Sequence, residues 1–310
     1  MNKKCTFLLL FISHLTFSQS EKLFFYVEKD SLIGVRNQNR KIIIYPKPTW
    51  NSPSYYNNRE IKSALFNLDF KDKPYCYYDR NGKLIFKTFM TSEGPDTFQE
   101  GYIRYSENNK SGLISDKGQK ITTAKYDWVS PIKFGFASFC NGCYFDTTED
   151  EEHSPLIGGI WGFVNKNGVE ITPSSERNHP KDFETKDHRF IPYQFEYDEK
   201  EKHILDFFEN RKDKIAQING INCSENILYF EIVGRPSEFE SFYKIKTFEL
   251  CDFYINAADE NYDDFKNFKV SADGKKFYVL YIDLVNYKEY SEYVERKIPV
   301  DKWIKKNLNK

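Results

Sequence analysis

GGIWGFVNKNGVEITP, residues 158–173, places Trp161 and Gly162 before a short apolar strand, then a polar turn closing on Gly168, then a second apolar strand. A polar residue followed by glycine supplies the positive φ angles of a tight turn, and the alternation on either side buries one face of each strand. One such hairpin is marginally stable in water, so the stretch calls for partners of its own kind.

The chain supplies them. SGLISDKGQKI (111–121) sets Gly112 against Gly162, Leu113 against Phe163, Asp116 against Lys166 with one residue of slack, and Gly118 against Gly168. YCYYDRNGKLIF (75–86) puts Tyr75 at the tryptophan position, Asp79 at Asn165 and Gly82 at the turn, while IGVRNQNRKIII (33–44) keeps Gly34 but carries Arg40 where the turn glycine belongs. From turn to turn the spacings are 42, 36 and 50 residues. FQEGYIRY (98–105) and IKFGFASF (132–139) add a second recurring element, an aromatic residue, a glycine and an alternating strand. Each unit thus reads strand, turn, strand, connector, strand. The expected fold is mainly β: repeated antiparallel hairpins over 19–180, followed by a smaller α+β domain over 181–310.

With SGLISDKGQKITTAKYDWVSPIKFGFASF and IWGFVNKNGVEITP on the page, residues 23–180 resemble the WG-repeat proteins. Their unit is a Trp-Gly strand, a D-K-x-G-K turn and a P-x-K-Y-D connector leading to F-x-x-G-x-A. Only Trp161-Gly162 keeps the namesake pair, and the connector survives only at Lys125, Tyr126 and Asp127. The resemblance implies a β-repeat module that serves as an interaction surface, and it supplies no catalytic residue. Trp161 itself is expected to be a core anchor between strands.

Compartment decides how the cysteines are read. MNKKCTFLLLFISHLTFS (1–18) has a basic start at Lys3 and Lys4, an apolar run over 7–12, and small residues at Thr16 and Ser18, the pattern of a cleaved signal peptide. Export, to periplasm or medium, is the expectation. Losing Lys3 and Lys4 takes the basic residues from 45 to 43 against 46 acids, a net charge near −3. Such a balance does not attract nucleic acid, and no later stretch approaches the roughly 20 apolar residues of a membrane-spanning helix.

Comparing units exposes an insertion. Gly101 precedes Gly112 by eleven residues, but Gly135 precedes Gly162 by twenty-seven, so sixteen residues have been added within CNGCYFDTTEDEEHSPLIGG (140–159). Insertions in repeat proteins fall in loops, often on the binding face, which makes Cys140, Cys143, Asp146, Asp150, Glu152 and His153 the candidate site. Two thiolates with His153 and a carboxylate could ligate zinc, but a single C-x-x-C without a second pair is a weak signal. A redox dithiol would want a helix after Cys143, and the pattern there is strand and turn. The run TEDEE lacks the D-x-D-x-D-G spacing of a calcium loop. In an oxidising compartment the simplest reading is a Cys140–Cys143 disulfide beside a solvated acidic run, leaving Cys76, Cys223 and Cys251 as an odd set.

Beyond Pro180 the repeat disappears. DEKEKHILDFFENRKDKIAQI (198–218) has the period of an amphipathic helix ended by Gly220; strands are expected at 227–234, 242–250 and 268–284, the last folded at Asp273-Gly274, with a short helix near the C-terminus. No Ser-His-Asp spacing, phosphate-cradling loop or H-E-x-x-H motif is present. The sequence therefore reads as a non-catalytic exported protein that binds a protein partner through its repeat surface, with no resident cofactor. The alternatives are an envelope metal-binding or thiol-redox protein using the Cys140/Cys143 loop, and a spacer without a specific ligand.

Overall fold

Four turns carry the repeat. Asn37–Arg40, Asp79–Gly82, Ser115–Gly118 and Asn165–Gly168 each close with a hydrogen bond from the fourth backbone N–H to the first carbonyl, at 3.0, 3.0, 2.9 and 2.9 Å. The fourth residue is left-handed every time, with φ of 64° at Arg40, 78° at Gly82, 81° at Gly118 and 79° at Gly168. In three of them the leading side chain also accepts from the N–H groups two and four residues on: Asn37 from Asn39 and Lys41, Asp79 from Asn81 and Lys83, Asn165 from Asn167 and Val169. Short polar side chains that bond their own backbone favour such turns, which is why Asn, Asp and Ser lead them.

The computed structural model describes residues 21–29, 31–50, 52, 56, 58–91, 94–148, 154–218, 228–249, 268–286 and 291–308. Its first sheet holds β1 (Leu23–Glu28), β2 (Leu32–Asn37), β3 (Ile42–Pro48) and β4 (Glu60–Ile61) in the order β3-β2-β1-β4. The second holds β5 (Leu65–Phe70), β6 (Lys73–Asp79) and β7 (Leu84–Thr88) and then, past a small ribbon of β8 (Met90–Thr91) and β9 (Gly94–Pro95), β10 (Tyr102–Glu107) and β11 (Lys110–Ser115). The third runs β12 (Trp128–Val129), β13 (Phe136–Phe145), β14 (Leu156–Asn165) and β15 (Glu170–Ile171) in chain order. All pairings are antiparallel.

Two contacts explain the repeat's glycines. The first is across a strand pair: Tyr26 faces Gly34, Tyr105 faces Gly112 and Phe139 faces Gly162. A Cβ at each glycine would lie 2.8, 2.7 or 2.6 Å from the facing ring, so the aromatic ring occupies the side chain's place. In the second unit Cys76 stands at this position and faces Leu68, which is not aromatic. The second contact joins neighbouring units. Gly82 sits against Ile43, Gly118 against Leu65 and Ile85, and Gly168 against the backbone of Ile121. Ile43, Ile85 and Ile121 each lie three residues past their own turn's last residue. Each turn therefore seats on the isoleucine of the unit before it, as stacked repeats require.

Past the array, β16 (Phe183–Glu184) and β17 (Phe190–Ile191) form a ribbon whose Phe183 and Ile191, with Phe195, close over Phe136, Phe163 and Ile171 of the last unit. The C-terminal sheet follows in chain order: β18 (Leu228–Gly234), β19 (Phe242–Glu249), β20 (Phe268–Ser271), β21 (Phe277–Asn286) and β22 (Ser291–Pro299). The expected single helix over 198–218 is two, α1 (Glu199–Glu209) and α2 (Lys212–Ile218), broken at Asn210–Arg211. A capping box between Asp198 and Glu201 starts α1. Ile204, Phe208 and Ile215 still meet one core with Phe230, Phe268 and Trp303, the last from α3 (Val300–Asn307). The period thus marked the buried face but not the break. Strand β22 was not foreseen, and Gly220, Cys223 and Cys251 lie outside the described residues.

Candidate functional site

The insertion is a longer hairpin before it is a loop. Between β10 and β11 the turn is Asn108–Asn109, with φ of 52° and 59°. In the next unit β13 and β14 run ten residues each and stay paired from Phe136↔Asn165 out to Phe145↔Leu156. Cys140 and Cys143, expected in a loop, therefore lie within strand β13. Asp127 fixes the base of the extension, accepting from Gly142 N at 2.7 Å and from Lys110 Nζ at 2.6 Å, and these bonds hold its carboxyl below the usual range. At the far end Asp146 accepts from the N–H and hydroxyl of Thr148, with the same effect on its carboxyl. Asp150, Glu152 and His153 lie outside the described residues.

Cys140 and Cys143 are joined by a disulfide. Cys140 is fully buried, and its strand partners are Trp128 on one side and Trp161 on the other, whose rings meet edge to face at 5.9 Å. Trp161 is not the expected core anchor: it is 45 % exposed, and its Nε1 donates to Gly158 O at 2.8 Å. The cause is the two-residue period of a strand. Gly162 shares its face with Phe139 and the unit's core, where Tyr126 stacks on Phe139 at 4.2 Å, so the residue before it points the other way. Farther along the hairpin, Tyr144, Phe145 and Ile160 are 60, 58 and 77 % exposed. Exposed apolar side chains gathered on a projecting hairpin are a common mark of a contact surface.

Bonded to each other, the two sulfurs offer no thiolate to a metal. Among the described residues no three His, Cys, Asp or Glu side chains gather in a way that could hold a metal ion. The three histidines of the C-terminal half stay apart. His179 stacks on Tyr193 at 4.7 Å, His188 sits by Glu184 at 2.9 Å, and His203 is exposed 4.0 Å from Asp206.

Sequence reasoning missed a second feature, a cleft of about 1540 Å³ between the repeat turns and the C-terminal sheet. Nine lysine and arginine side chains line it against four carboxylates, in a chain whose formal charge is −1. Its floor is Glu100 in the two-residue turn Gln99–Tyr102, where Glu100 and Gly101 have φ of 52° and 85°. The Glu100 carboxylate reaches the matching turn of the next unit and accepts from Phe134 N at 2.6 Å and Gly135 N at 2.9 Å. Burial pushes this carboxyl up to about 7, against the pull of Lys246, the two N–H groups and Lys166. Burial, then the like charge of Arg235, lowers Lys166. The only signal for Glu100 was its place beside the glycine of a recurring turn. Nothing local announces the cleft, because its walls come from segments more than 100 residues apart.

No protein-family model, curated protein or solved structure matches this chain. Among the described residues no helix is long and apolar enough to cross a membrane.

Proposed function

We propose that the protein is an exported, non-catalytic binding protein: a WG-like repeat array presenting the β13–β14 hairpin to a protein partner. One observation carries this reading. The hairpin is the only such extension among the four units described, and it bears Tyr144, Phe145, Ile160 and Trp161 in solvent. Exposing four large apolar side chains on one short hairpin, divided between its two faces, opposes solubility, and aromatic residues are the side chains most enriched at interface centres. The disulfide and the Asp127 bonds brace the hairpin and so lower the entropy cost of ordering it on binding.

The test is in-cell crosslinking and recovery from the envelope fraction. The intact chain is compared with one whose residues 141–157 are replaced by a short Gly/Ser turn, and with a Tyr144→Ser/Ile160→Ser variant. A protein captured by the intact chain and lost from both variants supports the reading. Equal capture by all three places the contact elsewhere, and capture by none removes the proposed partner. The thiol-redox alternative would run through attack of an incoming thiolate on Cys143, the more exposed of the two sulfurs, since Cys140 is buried between Trp128 and Trp161.

A further inference from the structure

The charged cleft is a site distinct from the hairpin: none of the residues lining it lies between 136 and 165. Its volume of about 1540 Å³ exceeds the roughly 300–1,000 Å³ typical of sites for compact small molecules, which points to an extended ligand. The cations argue for negative charge. Lys166 lies 4.7 Å from the Phe195 ring centroid, and Lys246 donates to the neutral Gln99 Oε1 at 3.3 Å. Among the described residues neither comes within salt-bridge distance of a carboxylate. Lys117 and Lys244 stand exposed on opposite walls, Lys244 3.8 Å from the Glu240 carboxylate. Lysine heads in such a groove are compact, strongly hydrated point charges on long stems, suited to anions whose spacing is not fixed.

The other lining groups narrow the ligand. Between the cations stand acceptors that would repel a uniformly charged polyanion: the carboxylates of Glu60, Asp116 and Glu240. With them come side-chain amides at Asn67, Gln99 and Gln119, which both donate and accept. A ligand matching this lining carries negative groups and many hydroxyl donors on the same short repeat. The half-buried rings of Tyr77, Phe98 and Tyr102 add apolar surface between the polar groups. We propose that the cleft binds an acidic oligosaccharide, its carboxylate or sulfate groups meeting Lys117, Lys166, Lys244 and Lys246, and its hydroxyls meeting the carboxylates and amides between them.

The test is calorimetric titration of the full secreted chain with four probes: tetragalacturonic acid, a sulfated tetrasaccharide, maltotetraose and tetraglutamate. At least one acidic sugar should bind about tenfold or more tighter than maltotetraose, and its affinity should fall with added salt. Lys166→Gln/Lys246→Gln should weaken it by a further tenfold or so at an unchanged melting temperature. Should that pair prove unstable, Lys117→Gln/Lys244→Gln on exposed stems gives the same readout. The stronger of the two acidic sugars identifies the anionic group. Equal binding of maltotetraose, tetraglutamate binding at least as tightly as either acidic sugar, no binding of the acidic sugars, or unchanged affinity in a folded lysine variant would each overturn the proposal. The hairpin replacement leaves every lining residue in place, so loss of partner capture there and loss of sugar binding here are separate results.

Discussion

The ring of Phe139 occupies the place a side chain would take at Gly162, the residue directly across the strand pair. Tyr26 with Gly34 and Tyr105 with Gly112 repeat the arrangement, and the unit that has Cys76 in place of glycine has Leu68 in place of the ring. Gly162→Ala should therefore destabilise the protein by about 1–3 kcal/mol, the cost of forcing an extra methyl into a packed core. Adding Phe139→Leu to it should cost less than the two single changes summed, because the smaller side chain vacates space that the added methyl fills. Urea unfolding of the four proteins of this cycle measures the coupling, and strict additivity would refute the account.

The turn contacts predict an asymmetry. At Gly168 a Cβ would meet Ile121 O well inside contact distance and would also demand a left-handed φ of 79° from an L-residue, so Gly168→Ala should cost about 2 kcal/mol or more. Arg40 holds the same conformation in the first unit, where its side chain is exposed. Arg40→Gly should therefore stay within about 1 kcal/mol of the parent, removed left-handed strain offsetting the added freedom of the unfolded chain. Thermal melts of the two variants separate these outcomes.

Glu100 sets a pH dependence. Its folded-state carboxyl titrates near 7, above an unfolded value near 4.3, so between these limits the folded chain holds a proton that the unfolded chain has released. Stability from this group is present below about pH 4 and is lost as pH rises through 7, by an amount on the order of 3 kcal/mol. Glu100→Gln cannot ionise, and should flatten the slope of unfolding free energy between pH 5 and 7 while costing one of the two bonds to Phe134 and Gly135. A slope unchanged by the substitution would assign the titration to another group.

Glu231 anchors the segment leading into α1. Fully buried, it accepts from Lys181 Nζ at 2.8 Å and from the hydroxyls of Tyr193 and Tyr197 at 2.5 Å each, and burial and its charge raise both phenols far above their usual range. Glu231→Ala leaves a partly exposed ammonium and two hydroxyls without their acceptor, a loss of about 3 kcal/mol. Tyr193→Phe removes one donor and leaves the others in place, and should cost about 1 kcal/mol. Chemical denaturation ranks the two variants, and an equal loss would refute the ranking and show that the cluster fails as a unit when one hydroxyl is removed.

The array was legible because its signals are local and repeated. Turn chemistry at Asp79–Gly82, Ser115–Gly118 and Asn165–Gly168, and the alternation around it, fixed the hairpins, and the spacing between glycines located the insertion. What escaped depends on faces and distance. Trp161 shares a motif with Gly162 but not a face, so motif membership could not tell core from surface. The break at Asn210–Arg211 falls inside an unbroken apolar period, and the cleft joins Glu100 to Lys246 across 146 positions. Neither leaves a local mark in the chain.

The seating of each turn on the isoleucine before it gives the array a direction and two different ends. Arg40 opens it: among the described residues no earlier isoleucine waits for this turn, so a bulky residue is tolerated where every later unit has glycine. Ile171 closes it: the next turn's seat is already taken, covered by the cluster of Phe183, Ile191 and Phe195. A further unit spliced after residue 173 would find its docking place occupied, whereas one spliced between existing units would find a seat and offer another. The number of units is thus written at the termini of the stack, and lengthening it by internal duplication is the route the packing leaves open.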